Sequence, residues 1–198
     1  MTYAIIGSGA IGSALLTHFS SKGIAVKVAN SRGAASLDAT ATKFGGTVTP
    51  TDIEDALAQD IVIFAMPFTA APELAKVRKD WTGTIVVDAT NAVKFPEFRP
   101  ADLGGRLSSE IVAEALPGAK VVKAFNTIPA AVLAADPVEA SGRRVVVLSG
   151  DDEGANKSVA SLVERLGFAA VNLGSLKAAA PVQQFGGSLV AVDLIRKG

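Results

Sequence analysis

Apolar and polar positions follow one another in regular blocks along this chain. Short apolar or β-branched runs predict strands at residues 2–6, 24–29, 47–49, 61–66, 84–88, 120–125, 143–148 and 169–173. The mixed segments between them predict helices that begin near residue 13 and that cover 34–44, 51–58, 71–79, 109–115, 130–135, 153–166 and 183–196. Because strands and helices alternate throughout, the pattern predicts an α/β fold with a doubly wound, mostly parallel sheet of about eight strands.

Two stretches carry local signals beyond this alternation. Thr51 and Glu54 have the spacing of a capping box, which predicts the start of a short helix. Residues 91–107 contain two prolines, two phenylalanines and few helix cues, so we expect a long loop of the kind that often carries function. No linker or charge run divides the chain, so we expect a single domain over residues 1–198.

Composition narrows the classes of function. Hydrophobic residues make up 49% of the chain, and 19 basic residues balance 19 acidic ones, so we expect a globular protein that binds neither nucleic acid nor a membrane. The chain has no cysteine and one histidine, which argues against disulfides, thiol catalysis and a metal site. A basic leader and a long apolar stretch are both missing, so we expect a cytoplasmic protein.

The first predicted strand runs into a glycine-rich turn that opens a helix. This turn has the spacing G-x-G-x-x-G and comprises Gly7, Ser8, Gly9, Ala10, Ile11 and Gly12. In a dinucleotide site Gly7 permits the tight turn, Gly9 lets a pyrophosphate approach the backbone, and Gly12 allows close packing of helix on strand. The helix N-terminus then offers free N–H groups to the phosphates. The alternative is a plain glycine hairpin.

The end of the second predicted strand indicates which dinucleotide is bound. An NAD site has an acidic residue at this place, which binds the ribose 2′-hydroxyl, whereas this chain has Asn30, Ser31 and Arg32. A hydroxyl and a guanidinium can hold a 2′-phosphate by charge-assisted hydrogen bonds. The sequence therefore predicts NADP(H) as the cofactor, unless Arg32 is only a solvated loop residue.

Ligands of such sheets bind at the carboxyl ends of the strands. Three further sets of candidates follow strands there: Met66, Pro67 and Phe68; Ala89, Thr90 and Asn91; Asn126, Thr127 and Ile128. We expect Pro67 and Phe68 to pack along the ribose and adenine, and the hydroxyl and amide groups of the other two sets to lie at the nicotinamide end. Ile128 could press on an acceptor ring and Asn126 could bond its polar edge. The alternative is that Asn126 and Thr127 cap the helix that begins near Pro129.

The candidates include no acid–base constellation. His18 falls inside the first helix, where we expect it to pack, and Trp81 is expected to pack in its turn. Asp88 ends a strand and is expected to cap the following turn, although it could act as a base. Such a site suits direct hydride transfer, in which the cofactor carries the chemistry and the protein supplies distance and stacking.

Four motifs together resemble the NADPH-dependent reductases of the deazaflavin coenzyme F420. They are residues 5–12, residues 30–33, residues 87–91 and, most specifically, the stretch LPGAKVVKAFNTIP at 116–129. The resemblance implies a Rossmann domain with a small C-terminal part at 174–198, which faces substrate or a second subunit of a homodimer. It also implies that Ser31 and Arg32 hold the 2′-phosphate, that residues 126–128 lie under the nicotinamide and the deazaflavin, and that residues 185–189 face the substrate.

The acceptor stays open at this point. Archaeal F420 reductases tend to have histidine where this chain has Asn126, and the Ala-Phe-Asn-Thr form also occurs in relatives whose acceptor is a flavin. We therefore expect a small-molecule acceptor with a planar ring, such as F420 or a flavin. Two alternatives are an imine reductase of the pyrroline-5-carboxylate type and a non-enzymatic NADP(H)-binding sensor.

Overall fold

The computed structural model describes residues 1–197, which form a layered α/β structure. Its strands are β1 (Tyr3–Ile6), β2 (Val26–Ala29), β3 (Val48–Pro50), β4 (Ile61–Phe64), β5 (Ile85–Asp88), β6 (Val93–Lys94), β7 (Arg99–Pro100), β8 (Lys120–Ala124), β9 (Val138–Glu139), β10 (Gly142–Gly150), β11 (Ala169–Asn172) and β12 (Ile195–Arg196). Its helices are α1 (Ala10–Ser21), α2 (Asp38–Phe44), α3 (Ile53–Leu57), α4 (Ala71–Val77), α5 (Ser108–Ala115), α6 (Ala130–Ala134), α7 (Glu153–Arg165) and α8 (Leu176–Gln183).

The main sheet has the strand order β11-β10-β8-β5-β4-β1-β2-β3. Pairing is parallel from β3 to β8, whereas β10 runs antiparallel to β8 and parallel to β11. The chain starts in the middle of the sheet, builds outward through β2 and β3, and then returns to β4 on the other side of β1. The predicted doubly wound, mostly parallel sheet is therefore confirmed, with its switch point between β1 and β4.

The apolar runs form strands because both faces of the sheet are covered. One core cluster packs α1, α6 and α7 against one face, and a second packs α3, α4, α5 and α8 against the other. Trp81 is fully buried in the second cluster, as expected for a packed tryptophan. Within residues 1–197, no helix is long and apolar enough to cross a lipid bilayer.

The predicted capping box at Thr51 is wrong. The helix begins two residues later, and its N-cap residue is Asp52. Thr51 Oγ1 instead donates to Asp55 Oδ2 at 2.5 Å, and the same carboxylate accepts from Lys27. The Thr51 hydroxyl therefore bonds the Asp55 carboxylate, which pairs with Lys27 of β2, and does not cap the helix.

The predicted helix over residues 183–196 is also wrong. Helix α8 ends at Gln183, and the chain then makes turns in which Gly186 and Ala191 have φ of 92° and 63°. Those dihedrals are incompatible with a continuing helix. The segment ends as β12, which pairs antiparallel with β10.

The predicted loop at 91–107 contains the short antiparallel hairpin of β6 and β7.

His18 is a packed helix residue, as predicted. Its Nε2 lies 2.5 Å from the carbonyl oxygen of Leu133 in α6, and its ring meets that of Phe168 edge to face, with 4.9 Å between centroids. Burial lowers the pKa of the His18 imidazole below its ordinary value, and the Leu133 carbonyl offsets part of this effect. The folded protein therefore keeps this ring neutral in a pH range where an unfolded chain protonates it.

We expect the free energy of unfolding to decrease as the pH falls below about 6.5, because only the unfolded state then gains the His18 proton. Above that pH both states hold a neutral ring, and His18 adds no pH dependence. Replacement His18→Gln should flatten this step when urea unfolding is compared between about pH 7.5 and about pH 5.5. An equal decrease in the variant would assign the pH dependence to other groups.

Candidate functional site

A cleft of about 930 Å³ opens at the carboxyl ends of β1, β2, β4, β5 and β8. This volume is at the upper end of the range of small-molecule pockets, roughly 300–1,000 Å³. Most of the candidates chosen from sequence line it, namely Gly7, Ser8, Gly9, Ala10, Ile11, Asn30, Ser31, Arg32, Met66, Pro67, Ala89, Thr90, Asn91, Asn126, Thr127 and Ile128. The cleft is also lined by Ile53, Ala70, Glu73 and Leu74, which sequence reasoning missed.

Two candidates lie outside the cleft wall. Phe68 is half-buried against the second core cluster and does not line the cleft, so its packing along the cofactor stays a prediction. It begins a short 3-10 helix, Phe68–Ala70. Gly12 is buried in α1 and has a packing role.

The three glycines of the turn have different surroundings. A Cβ on Gly12 would overlap the carbonyl oxygen of Gly7, and a Cβ on Gly7 would overlap that of Ala65. Gly7 also has φ of +115°, which a residue with a side chain rarely adopts. A Cβ on Gly9, in contrast, would meet no atom of residues 1–197 within 4 Å. The open space beside Gly9 fits a pyrophosphate at the N-terminus of α1.

Polar side chains from the first and second strand ends form a bonded group. Asn30 Nδ2 donates to Ser8 Oγ at 3.1 Å, and Asn30 Oδ1 accepts from the backbone N–H of Arg32 at 2.8 Å. The Arg32 guanidinium reaches the same Ser8 oxygen at 3.3 Å. Ser31 and Arg32 are exposed, so both can meet an anionic group from solvent. Within residues 1–197, Arg32 and Glu73 are the only ionisable residues that line the cleft.

The other end of the cleft is built on the paired side-chain amides of Asn126, which is buried, and Asn91, which is half-buried. Asn126 Nδ2 donates to Asn91 Oδ1 at 3.1 Å, and Asn91 Nδ2 donates to the Asn126 carbonyl at 2.8 Å. Asn126 Nδ2 also donates to the Gln183 carbonyl, and Asn126 Oδ1 accepts from Gln183 Nε2. Both hydrogens of the Asn126 amide are therefore used within the protein, whereas a bond between Asn126 and an acceptor ring stays a prediction.

The residues after β8 do not cap the next helix. Pro129 is the N-cap residue of α6, and in the described part of the chain no side chain bonds this cap. Ile128 is 5% exposed and belongs to the first core cluster while it also touches the cleft. Phe125 has φ of 63°, an unusual conformation for a bulky residue, which turns the chain sharply at the end of β8.

Three phenylalanines flank this end of the cleft. Phe95 and Phe98 belong to the β6–β7 hairpin and are 68% and 65% exposed. Their rings meet edge to face at 5.2 Å, and Phe98 meets Phe185 at 6.1 Å between centroids. The loop signal at 91–107 pointed to this region, but it gave no sign that the hairpin would meet the segment after α8.

A buried ion pair lies beneath the loop that follows β5. Lys123 Nζ is 2.9 Å from Asp88 Oδ2 and donates to the Thr90 carbonyl at 3.0 Å. Asp88 Oδ1 accepts from the backbone N–H and the hydroxyl of Thr90 at 2.9 and 2.7 Å, which is the predicted turn cap. Sequence reasoning did not identify Lys123, because it lies within an apolar strand.

Comparison with known proteins finds a family model that matches part of this chain and solved structures that share its fold. Residues 2–92 match the family model described as NADP oxidoreductase, coenzyme F420-dependent. The crystal structure of a hypothetical protein, SMa0349 from Sinorhizobium meliloti, is 55% identical with a TM-score of 0.97, over 100% of this chain and 96% of that one. A proposed F420-dependent NADP reductase from Arthrobacter sp. FB24 is 22% identical with a TM-score of 0.79, over 99% of this chain and 100% of that one, and shares the fold.

A third relative is longer than this chain. The metalloreductase STEAP3 of Rattus norvegicus is 30% identical over 180 residues, which are 90% of this chain and 35% of the relative. The chain thus spans about a third of the length of the curated relatives that it matches. The chain is thus related to the Sinorhizobium protein over its whole length, and its first half matches the model of the coenzyme F420-dependent NADP oxidoreductase family.

Proposed function

We propose that this protein binds NADP(H) and passes hydride between it and a planar ring acceptor, F420 or a flavin. One observation carries the proposal: a single cleft runs from the glycine turn and Arg32 to an end flanked by aromatic rings. The first end offers what a phosphorylated dinucleotide needs, and the second offers flat apolar surface for a ring. By family resemblance, the active form is a homodimer.

At the first end of the cleft, charged and hydroxyl side chains and backbone N–H groups would bind the dinucleotide. Arg32 and the Ser31 hydroxyl would bind the 2′-phosphate, and Ser8 would help to orient the guanidinium through its 3.3 Å contact. The pyrophosphate would lie in the space beside Gly9, against the N–H groups that begin α1. When bound there, NADPH supplies the hydride.

At the other end of the cleft, the protein side chains would bind and orient the acceptor ring. In the described part of the chain, the residues that line this end carry amide, hydroxyl, aromatic or aliphatic side chains and none that is ionisable. Phe98 and Phe185 would stack against the acceptor ring, and Ile128 would limit how deeply the ring enters the cleft. Hydride transfer needs donor and acceptor atoms about 3–3.5 Å apart, and stacking of the acceptor on the phenylalanines would exclude water from between them. Any accompanying proton comes from solvent.

The test is NADPH and NADH oxidation with F420, riboflavin and FMN, by the wild type and by Arg32→Ala. We expect NADPH to be used better than NADH, and Arg32→Ala to lose at least ~10-fold in NADPH affinity, since a charge-assisted bond contributes about 1.5–3 kcal/mol. NADH should respond little to this change. Equal use of both cofactors by the wild type would contradict the assignment of Arg32.

The same screen separates the alternatives. NADPH oxidation with a cyclic imine and none with F420 or flavins would favour an imine reductase. Tight NADPH binding without turnover of any of these acceptors would favour a sensor.

A further inference from the structure

The last residue of α8, Gln183, is a buried polar residue that hydrogen-bonds a cleft-lining residue without lining the cleft itself. It is 1% exposed and lies over the junction where β8 meets the antiparallel strand β10. A buried amide is retained at low energy only when its donors and acceptors are all used. The bonding partners of Gln183 therefore indicate what it fixes.

Each polar atom of the Gln183 side chain has a partner. Its Oε1 accepts from the Ser149 hydroxyl at 2.5 Å, which anchors the amide to β10. Its Nε2 donates to the Lys123 carbonyl at 2.9 Å and to Asn126 Oδ1 at 3.3 Å. The Gln183 backbone carbonyl in turn accepts from Asn126 Nδ2 at 2.8 Å. One residue of α8 thus holds the Asn126 side chain by both its donor and its acceptor.

These bonds enclose a strained turn. Lys123 and Asn126 lie on either side of the Ala124–Phe125 step, and Phe125 has φ of 63°. A left-handed conformation at a bulky residue persists only where its surroundings impose it. The Gln183 amide bonds both the Lys123 carbonyl before this turn and the Asn126 side chain after it, and so links the two sides of the turn. Without that link the turn could relax, and the segment that follows would move.

The same segment is attached on two further sides. Asn91, in the loop after β5, exchanges two hydrogen bonds with Asn126. The backbone N–H of Ala191 donates to the Thr127 carbonyl at 2.8 Å. Asn91, Asn126, Thr127 and Ala191 all line the cleft, whereas Gln183 does not. Gln183 thus supports these residues from outside the cleft.

We propose that Gln183 is a positioning residue: through Asn126 it fixes residues 125–128 in the arrangement that aligns an acceptor with the dinucleotide. Its effect on turnover rests on the proposed function, whereas its effect on the shape of this segment does not. The two consequences are therefore measured separately.

The first test is amide hydrogen exchange of the ligand-free protein, read by mass spectrometry of peptides. Gln183→Met keeps the size of the side chain and removes its hydrogen bonds. We expect faster exchange in peptides that cover 125–130 and Ala191. The matched control is Asn156→Leu, which removes another buried amide whose bond runs from α7 to the Gly150 carbonyl, away from the cleft. Unchanged exchange at 125–130 in Gln183→Met would overturn the proposal.

The second test is turnover with the best acceptor of the wild type. We expect kcat of Gln183→Met to fall by about 100-fold, since a displacement of about 1 Å at a reacting centre has effects of this size. NADPH affinity should change little, because on the proposed function the 2′-phosphate and pyrophosphate are bound by Ser31, Arg32 and the glycine turn, which Gln183 does not contact. A loss of NADPH affinity equal to the loss of kcat would indicate general damage and count against a positioning role.

Gln183→Glu gives a readout that simple destabilisation would not. An ionised carboxylate would place an acceptor oxygen against the acceptors Lys123 O and Asn126 Oδ1, whereas a protonated carboxyl could still donate to one of them. We expect kcat of this variant to rise as the pH is lowered, with no such rise in Gln183→Met. Matching pH profiles would overturn the proposal.

If Gln183→Met does not fold, Ser149→Ala replaces it, because this change removes only the anchor on Gln183 Oε1. It should produce the same local increase in exchange to a smaller degree, and its absence would overturn the proposal. If the wild type reduces no acceptor, the proposed function fails, and hydrogen exchange alone decides the role of Gln183.

Discussion

Gly9→Val is expected to abolish NADPH binding and to leave the fold intact. Gly9 has φ of −73° and ψ of −164°, an extended conformation that valine adopts without strain. The new side chain would enter open space in the protein, since a Cβ at this position meets no atom of residues 1–197 within 4 Å. That space is where the pyrophosphate would lie, so the branched side chain and the phosphates would compete for it.

Calorimetric titration of NADPH and a thermal melt of each protein measure the two effects. The wild type should bind, and Gly9→Val should melt near the wild-type temperature with no measurable binding. The control is Gly12→Ala, in which a smaller side chain would overlap the Gly7 carbonyl and lower the melting temperature. Undiminished NADPH binding by Gly9→Val would place the dinucleotide elsewhere.

The elements that could be predicted from sequence are those whose signal is local. Strands such as Ile61–Phe64 and Ile85–Asp88 are buried on both faces, so each reads as a continuous apolar run. The glycine turn could be predicted because one short stretch holds the strand end, the turn and the helix start. Parallel strands bring their carboxyl ends to one edge, which is why most candidates meet in one cleft.

The features that were missed depend on contacts between distant residues. Gln183 and Asn126 are 57 positions apart, and the hairpin at Phe98 meets Phe185 only in the folded chain. The segment after α8 has an apolar pattern that suits a helix. Tertiary bonds, such as that from Ala191 to Thr127, and the pairing of β12 with β10 override this pattern. Local propensity is a weak prior wherever such contacts exist.

Lys123→Met is expected to lower the free energy of unfolding by about 3–5 kcal/mol, because it leaves the Asp88 carboxylate without its counter-charge in the interior. The two side chains are 4% and 0% exposed, so water cannot replace the lost ammonium group. The loop at Thr90 also loses the bond from Lys123 Nζ to its carbonyl. Urea unfolding of purified protein measures the change.

The double variant Asp88→Asn/Lys123→Met separates the effect of the buried charges on the free energy of unfolding from the effect of side-chain packing. Asn at position 88 can keep an oxygen for the Thr90 hydroxyl, as Asp88 Oδ1 has now, while both buried charges are removed. Each single variant leaves one buried charge unpaired, so we expect the double variant to be more stable than either. Asp55→Asn is the exposed control, since Asp55 pairs with Lys27 at the surface and solvent screens the loss. Additive losses in the double variant would show that Asp88 and Lys123 are not coupled, and that Lys123 stabilises the protein only through its aliphatic stem and the Thr90 carbonyl.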